Sequence, residues 1–240
     1  MTDLDNIARG YDELHQDWKG LENIVRENEF KVFSDNAFGV NNVCEIGLGD
    51  GVFTKKLTKC FNKVYAVDGS EVTIQELERD SESFKNVEFI CSYIETLTMD
   101  VKVDNIVMSH ILEHVDEPVA SLINEKNIMH DDTVLYISVP NAMSLHRQAA
   151  VKMGLLKECN ELNETDKMLG HRRVYKPDEF KQDLINAGFE ILKFGGSMLK
   201  PLTNSQIEKN WTPEMISGFI ELGNDYSDIC GDIYIVAKKK

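Results

Sequence analysis

Short apolar runs alternate with amphipathic stretches along most of the chain. "NNVCEI", "KVYAVD", "NVEFICS", "VDNIVMSH" and "DTVLYISVP" are compact and largely apolar, bounded by polar or turn residues. Runs of that kind predict strands buried on both faces. The stretches between them have helical spacing. In "GVFTKKLTKCF" the apolar positions are Val52, Leu57 and Phe61; "SEVTIQELERD" opens on Ser70, a residue suited to cap a helix; "VASLINEKNIM" follows Pro118. "KPDEFKQDLINAGF" has Pro177 at its start and Gly188 at its end, the asymmetry expected of a helix. "EILKFGG" and "DIYIVAKK" predict two closing strands. Near the N-terminus, Leu14, Trp18, Leu21, Ile24 and Val25 recur at three- and four-residue steps, which predicts a helix over about 11–30.

Strands alternating with helices imply the α/β class, with a parallel sheet covered by helices on both faces. The 240 residues suit one domain, 1–240, with an N-terminal helical cap over 1–35. Two stretches break the rhythm, 141–175 and 201–228. Such excursions in α/β folds build lids and substrate walls, so both are expected on the substrate side.

Charge and cysteine usage narrow the partners. The net charge of −15 disfavours nucleic-acid backbones and anionic membranes, but not a small anionic ligand in a locally basic pocket. Cys44, Cys60, Cys91, Cys159 and Cys230 form no C-x-x-C pair, and four of them sit in or beside apolar runs, which predicts buried free thiols. The polar N-terminus lacks a signal-peptide pattern, and no apolar stretch approaches the roughly 20 residues that span a bilayer. A cytoplasmic protein is expected, as a monomer or a homodimer.

The candidate chemistry begins at "CEIGLGDG". A dinucleotide fingerprint would place glycines at 47, 49 and 52, but they fall at Gly47, Gly49 and Gly51, with Val52 at the third place. No Lys-Ser/Thr follows, so this is not a triphosphate loop. Gly47 suits the sharp turn from strand to helix, and Gly49 and Gly51 leave room for a ligand beside the backbone. Asp68 ends the second strand about 20 residues on, the place of a carboxylate that binds a ribose diol.

E-x-G-x-G-x-G followed by that Asp resembles the class I S-adenosylmethionine-dependent methyltransferases. "CSYIETL", "DNIVMSHILEHVDEP" and "DTVLYISVPN" continue the resemblance in order, closest to the small-molecule branch related to ubiquinone-biosynthesis methyltransferases. The resemblance covers about 40–141, more loosely to 238. It implies a Rossmann-like seven-stranded sheet in order 3-2-1-4-5-7-6 with strand 7 antiparallel, S-adenosylmethionine as cofactor, and a small-molecule acceptor. It also implies roles. Glu45 organises the loop and meets the methionine amino group; Gly47 and Gly49 pass beside methionine and ribose; Asp68 binds the ribose hydroxyls. Gly69 and Ser70 lie along the adenosine, and Ile94 packs on the adenine. The acid that usually meets the adenine amino group is replaced by Tyr93, which leaves Glu95 or a water molecule to take its place. Ser109 and His110 sit at the methionine end. By analogy, Tyr11 reaches the methionine carboxylate from the N-terminal helix, while Trp18 packs in the core. A nicotinamide-dependent oxidoreductase is the alternative from another class, and Val52 argues against it; a cofactor-binding scaffold without catalysis is a third.

The acceptor side rests on histidines and arginines. "HILEH" matches an inverted zinc-protease pattern, but it follows a strand and precedes Asp116-Glu117-Pro118, so a loop without metal is expected. "SLHRQ" and "GHRRVY" carry three of the six arginines into the 141–175 excursion. Arg147, Arg172, Arg173 and Tyr175 would form a basic wall for an anionic acceptor, such as a phosphorylated or nucleotide-linked sugar. Methyl transfer to a hydroxyl is helped by a general base; His171 is the first candidate, with His146 and His110 as alternatives, while a phosphoryl oxygen would need no base and a nitrogen or carbon acceptor is a further alternative.

Overall fold

The computed structural model describes Asp5 and residues 19–240. Its seven-stranded sheet runs in the order β3-β2-β1-β4-β5-β7-β6. The strands are β1 (Asn42–Ile46), β2 (Lys63–Asp68), β3 (Val87–Cys91), β4 (Val103–Ser109), β5 (Met129–Pro140), β6 (Phe189–Gly196) and β7 (Asp232–Lys239). The pairings from β3 through β5 are parallel; β7 runs antiparallel to both β5 and β6. This is the Rossmann-like order expected above.

Helices cover both faces. They are α1 (Lys19–Asn36), α2 (Val52–Cys60), α3 (Glu71–Glu78), α4 (Pro118–Glu125), α5 (Leu145–Lys152), α6 (Glu164–Met168), α7 (Pro177–Asn186), α8 (Asn204–Asn210) and α9 (Pro213–Leu222). Ser70 caps α3 as expected, accepting a bond from the Thr73 N–H at 3.2 Å. Pro177 opens α7, and Gly188 follows it at φ +76°, a conformation open to glycine. On one face of the sheet, Phe33 of α1 packs with Phe53, Phe61 and Tyr136. On the other, Leu122, Phe180 and Leu184 cover Ile106, Met108 and Ile137. Full burial of each such side chain contributes roughly 1.5–3 kcal/mol. The N-terminal helix extends to Asn36, beyond the expected end near Phe30. Tyr11 and Trp18, with their expected roles, lie outside the described residues.

The two excursions are tied at their bases. Asn141 and Tyr175 form an isolated parallel bridge, and Ala142 N–H donates to the Tyr175 carbonyl at 2.8 Å. The Asn141 side chain donates to the carbonyls of Asp228 and Cys230, both at 2.9 Å, so it joins the ends of both segments. Within 201–228, Ile207, Ile216 and Ile220 pack against Leu21 of α1 in a third apolar cluster. No helix among the described residues is long and apolar enough to cross a membrane.

The expectation of buried thiols needs correction. Only Cys44 and Cys230 are buried; Cys60 and Cys91 are exposed and Cys159 is partly so. Cys60 ends α2 and Cys91 ends the edge strand β3, where neighbouring apolar residues do not guarantee cover.

Candidate active site

A cleft of about 1450 Å³ opens at the carboxyl ends of β1, β2, β4 and β5. This is where open α/β sheets bind ligands, because the strand order reverses there. The glycine loop forms one wall. Gly47, Gly49 and Gly51 have φ of +82°, +52° and +73°. A Cβ at Gly47 would overlap Ile111, whereas one at Gly49 would meet nothing within 4 Å and would enter open space. Gly49 thus leaves backbone accessible to a ligand. Gly51 does not: it precedes α2, and its missing side chain makes room for Leu77. Its glycine is required by packing, which corrects the ligand-approach reading.

Asp68 holds the loop from β2. One carboxylate oxygen accepts from Leu48 N–H at 2.9 Å and the other from Ser70 N–H at 2.8 Å. Burial raises its pKa, and the two backbone donors partly offset that. Each oxygen retains a lone pair, so the group can also accept from a diol. Glu45 is buried at the end of β1, with one oxygen unpartnered among the described residues. Burial pushes its pKa up to about 8. Gly69 and Ser70 follow on the same wall, but the Ser70 hydroxyl donates to Asp5 at 3.0 Å while capping α3. Ile94, buried in a short 3-10 turn, and the exposed Glu95 close that end. This set suits a nucleoside with a cationic amino-acid tail: a diol acceptor, an orphaned buried carboxylate, and a gap where a Cβ would stand.

The other end is crowded with titratable groups. Ser109 donates to Glu29 at 3.2 Å and accepts from Ser138 at 3.1 Å. His110 has φ +56°, the one positive value at a non-glycine among the described residues. Its ring lies between Glu113, 3.5 Å from Nδ1, and Glu29, 3.7 Å from Nε2. Burial works to lower its pKa, but the facing carboxylates of Glu113 and Glu29 outweigh this and hold it well above the ordinary value. An imidazolium cannot accept a proton, so His110 is not the base.

His171 and His114 meet edge to face with ring centroids 4.8 Å apart. His171 Nδ1 lies 3.4 Å from Asp166. Burial lowers the pKa of His114, so it is neutral near pH 7. His146 lines the cleft, but burial pushes its pKa down to about 3, with Lys200 and Arg147 adding to the effect. A base that weak is a poor proton acceptor at neutral pH, which corrects its place among the candidates.

The basic wall is not free as expected: Arg147 and Arg172 line the cleft, but both are engaged with other groups, and Arg173 and Tyr175 do not line it. Arg147 is buried and fully engaged: Nη1 pairs with Asp166 at 3.0 Å, Nε donates to the Cys159 carbonyl at 2.7 Å, and Nη2 donates to the Glu161 carbonyl. Arg172 donates from Nε to the His114 carbonyl at 2.8 Å and pairs with Asp116 at 2.7 Å. Arg173 donates to the carbonyls of Leu112, Val115 and Asp116. Tyr175 is buried beside Phe180, its hydroxyl donating to Asp183 at 3.0 Å. These four residues hold the excursion together and strap it to the "HILEHVD" turn, because a turn leaves carbonyls unpaired and guanidinium supplies several donors at once.

Glu29, Glu113, His114 and Asp166 join the site without having been expected as site residues. "HILEH" was a visible signal for Glu113 and His114. Glu29 sits on α1 with no local motif, and Asp166 gains its place only through folding of the excursion.

A family model described as a methyltransferase domain matches residues 21–193. No curated protein sequence matches the chain. The fold is shared with a structure from Thermotoga maritima described as an S-adenosylmethionine-dependent methyltransferase and possible histamine N-methyltransferase. It is 18% identical, with a TM-score of 0.67 over 98% of this chain and 99% of that one. The Burkholderia thailandensis 1,6-didemethyltoxoflavin N1-methyltransferase, solved with its substrate and S-adenosylhomocysteine, is 16% identical, with a TM-score of 0.62 over 98% and 86%. The [4+2]-cyclase SpnF is also similar, at 15% identity and a TM-score of 0.58 over 88% and 79%.

Proposed function

Because the chain belongs to the methyltransferase-domain family, we propose that it transfers a methyl group from S-adenosylmethionine to an oxygen of a small polar molecule. S-adenosylmethionine supplies an electrophilic methyl on a sulfonium sulfur. In this reading Asp68 binds the ribose hydroxyls, Glu45 meets the cationic amino group, and Gly49 admits the ligand to the loop backbone. Ile94 packs on the adenine and Glu95 stands at its edge. Ser109 and the His110 turn align the methionine end.

The observation that carries the acceptor reading is the grouping of Glu113, His114, His171 and Asp166 on the far side of the same cleft. A hydroxyl acceptor must lose a proton, and this group is where one can be received. Asp166 orients His171 through Nδ1, which leaves Nε2 toward the acceptor. The segments 141–175 and 201–228 form the acceptor side of one domain, 1–240, acting in the cytoplasm without nucleic acid or membrane. The cleft exceeds the roughly 300–1,000 Å³ of an ordinary ligand pocket, consistent with two small molecules side by side. An anionic sugar-type acceptor keeps little support once the arginines are engaged in structure. A nitrogen acceptor is the second reading, since the buried carboxylates Glu29 and Glu113 line the cleft along with its basic groups.

The test is S-adenosylhomocysteine release across panels of hydroxylated small molecules, amines, nucleic acid and protein. Turnover confined to hydroxylated small molecules is expected. Turnover on a macromolecule would overturn the reading.

A further inference from the structure

Glu113 poses a problem that the methyl-transfer reading does not solve. It is fully buried, and neither carboxylate oxygen has a hydrogen-bond partner among the described residues. Its nearest ring nitrogens, on His110 and His114, stand at 3.5 Å and 4.0 Å, too far for good hydrogen bonds. The charge of His110 offsets part of the cost of burying this carboxylate, but both of its oxygens still have room for a direct donor or cation.

One ligand atom each from Glu113, His114 and His171 lie within 4.8 Å of one another. Around a tetrahedral zinc ion with bonds of about 2.1 Å, ligand atoms stand roughly 3.4 Å apart. The most widely separated of the three would therefore need to close by up to about 1.4 Å on binding. We infer that Glu113, His114 and His171 form a two-histidine, one-carboxylate site for a divalent transition ion such as zinc, placed on the acceptor side of the cleft.

The surroundings of each histidine support this. A metal-binding imidazole commonly donates its second ring N–H to a carbonyl or carboxylate, which fixes the tautomer. The Gly170 backbone lies beside the His114 ring. His171 has Asp166 3.4 Å from Nδ1. Each ring thus has a carbonyl or carboxylate nearby that could receive its second N–H when an ion binds. Glu29 and Glu113 add negative charge around a cation. The turn matters too. "HILEH" is not helical here, so its two histidines do not act as a helical pair. His110 turns toward Glu29, and His171 arrives from the excursion to take the third place.

Three protein ligands leave coordination open, as in catalytic rather than structural zinc sites. An acceptor oxygen would complete the shell, and the ion would lower its pKa so that its proton leaves to solvent; with the ion bound, His171 is a ligand and this replaces the base role given to it above. This deepens the proposed function and rests on it for the acceptor, but not for the ion. Metal-free protein, prepared with a chelator, is titrated with Co²⁺ and followed by its visible ligand-field bands. One equivalent of bound Co²⁺, displaced by Zn²⁺, is expected. Glu113→Gln and His171→Gln should each weaken binding by more than the roughly 10–100-fold typical of losing an outer partner. Calorimetry with S-adenosylhomocysteine, run on every variant, reports whether the fold and the cofactor end survive. Absent bands in wild-type protein that still binds S-adenosylhomocysteine would overturn the site, as would unchanged Co²⁺ binding in the folded variants. Stoichiometric Co²⁺ binding without S-adenosylhomocysteine binding would uphold the site and sink the methyltransferase reading instead.

Discussion

Asp68→Asn separates two jobs carried by one carboxylate. Its oxygens accept from Leu48 N–H at 2.9 Å and Ser70 N–H at 2.8 Å, and in the proposed complex also from the ribose diol. The amide keeps one oxygen but turns an NH₂ toward the other backbone donor. An unsatisfied, partly buried donor costs about 1–3 kcal/mol, so the melting temperature should fall even without ligand. Hydrogen bonds to a charged group contribute about 1.5–3 kcal/mol each, so S-adenosylhomocysteine should bind roughly 10–160-fold more weakly. Loop disorder alone could also weaken binding. Calorimetry with a 2′,3′-dideoxy analogue closes that gap through a double-mutant cycle. Wild-type protein should lose affinity when the hydroxyls are removed, and the variant should lose much less. Equal losses in both proteins would refute the ribose role, whatever the melting temperatures.

Other expectations follow from the same geometry. Gly47→Ala and Gly49→Ala both place a non-glycine residue at positive φ, a strain of about 1–2 kcal/mol each, but only the Gly47 Cβ also overlaps Ile111, so a thermal melt should show the larger loss for Gly47→Ala. Gly49→Ala should instead be read in cofactor affinity, which should fall. Arg147→Ala leaves Asp166 buried without its partner and should destabilise by about 3–5 kcal/mol, with early proteolysis in 141–175; a melt within a few tenths of wild type would contradict the engaged guanidinium. Glu125 is buried, has no partner among the described residues, and burial raises its pKa from 4.5 to about 8. The folded protein holds this proton where the unfolded chain releases it. That contribution is intact below the unfolded pKa and is lost as pH rises through the folded one. Glu125→Gln should therefore match wild type near pH 4 and exceed its stability by about 3 kcal/mol at pH 7, measured by denaturant unfolding. A difference that does not change with pH would rule out the titration.

The sheet was readable because its strands are covered on both faces. A run such as "VDNIVMSH" has one physical solution, and a glycine turn at its neighbour's end marks where the cleft opens. The wall of that cleft was legible for the same reason: Gly49 and Asp68 lie within a few residues of the elements that hold them. The acceptor end was not. Arg172 and Arg173 look like anion binders in sequence, since nothing local shows that their partners are carbonyls of Leu112, His114 and Val115. His171 kept a place in the site, but its neighbours Glu113 and His114 come from a distant turn. His110 looked like a base until two buried carboxylates were found beside it.

The arginine strap sets a rule for anyone who would re-engineer this chain. A guest loop grafted between Asn141 and Tyr175 would bring new side chains to the acceptor, yet leave 112–116 with exposed carbonyls and no anchor. Conversely, recoding that turn would strand Arg172 and Arg173. The transferable module is the discontinuous pair of segments, cut and moved together.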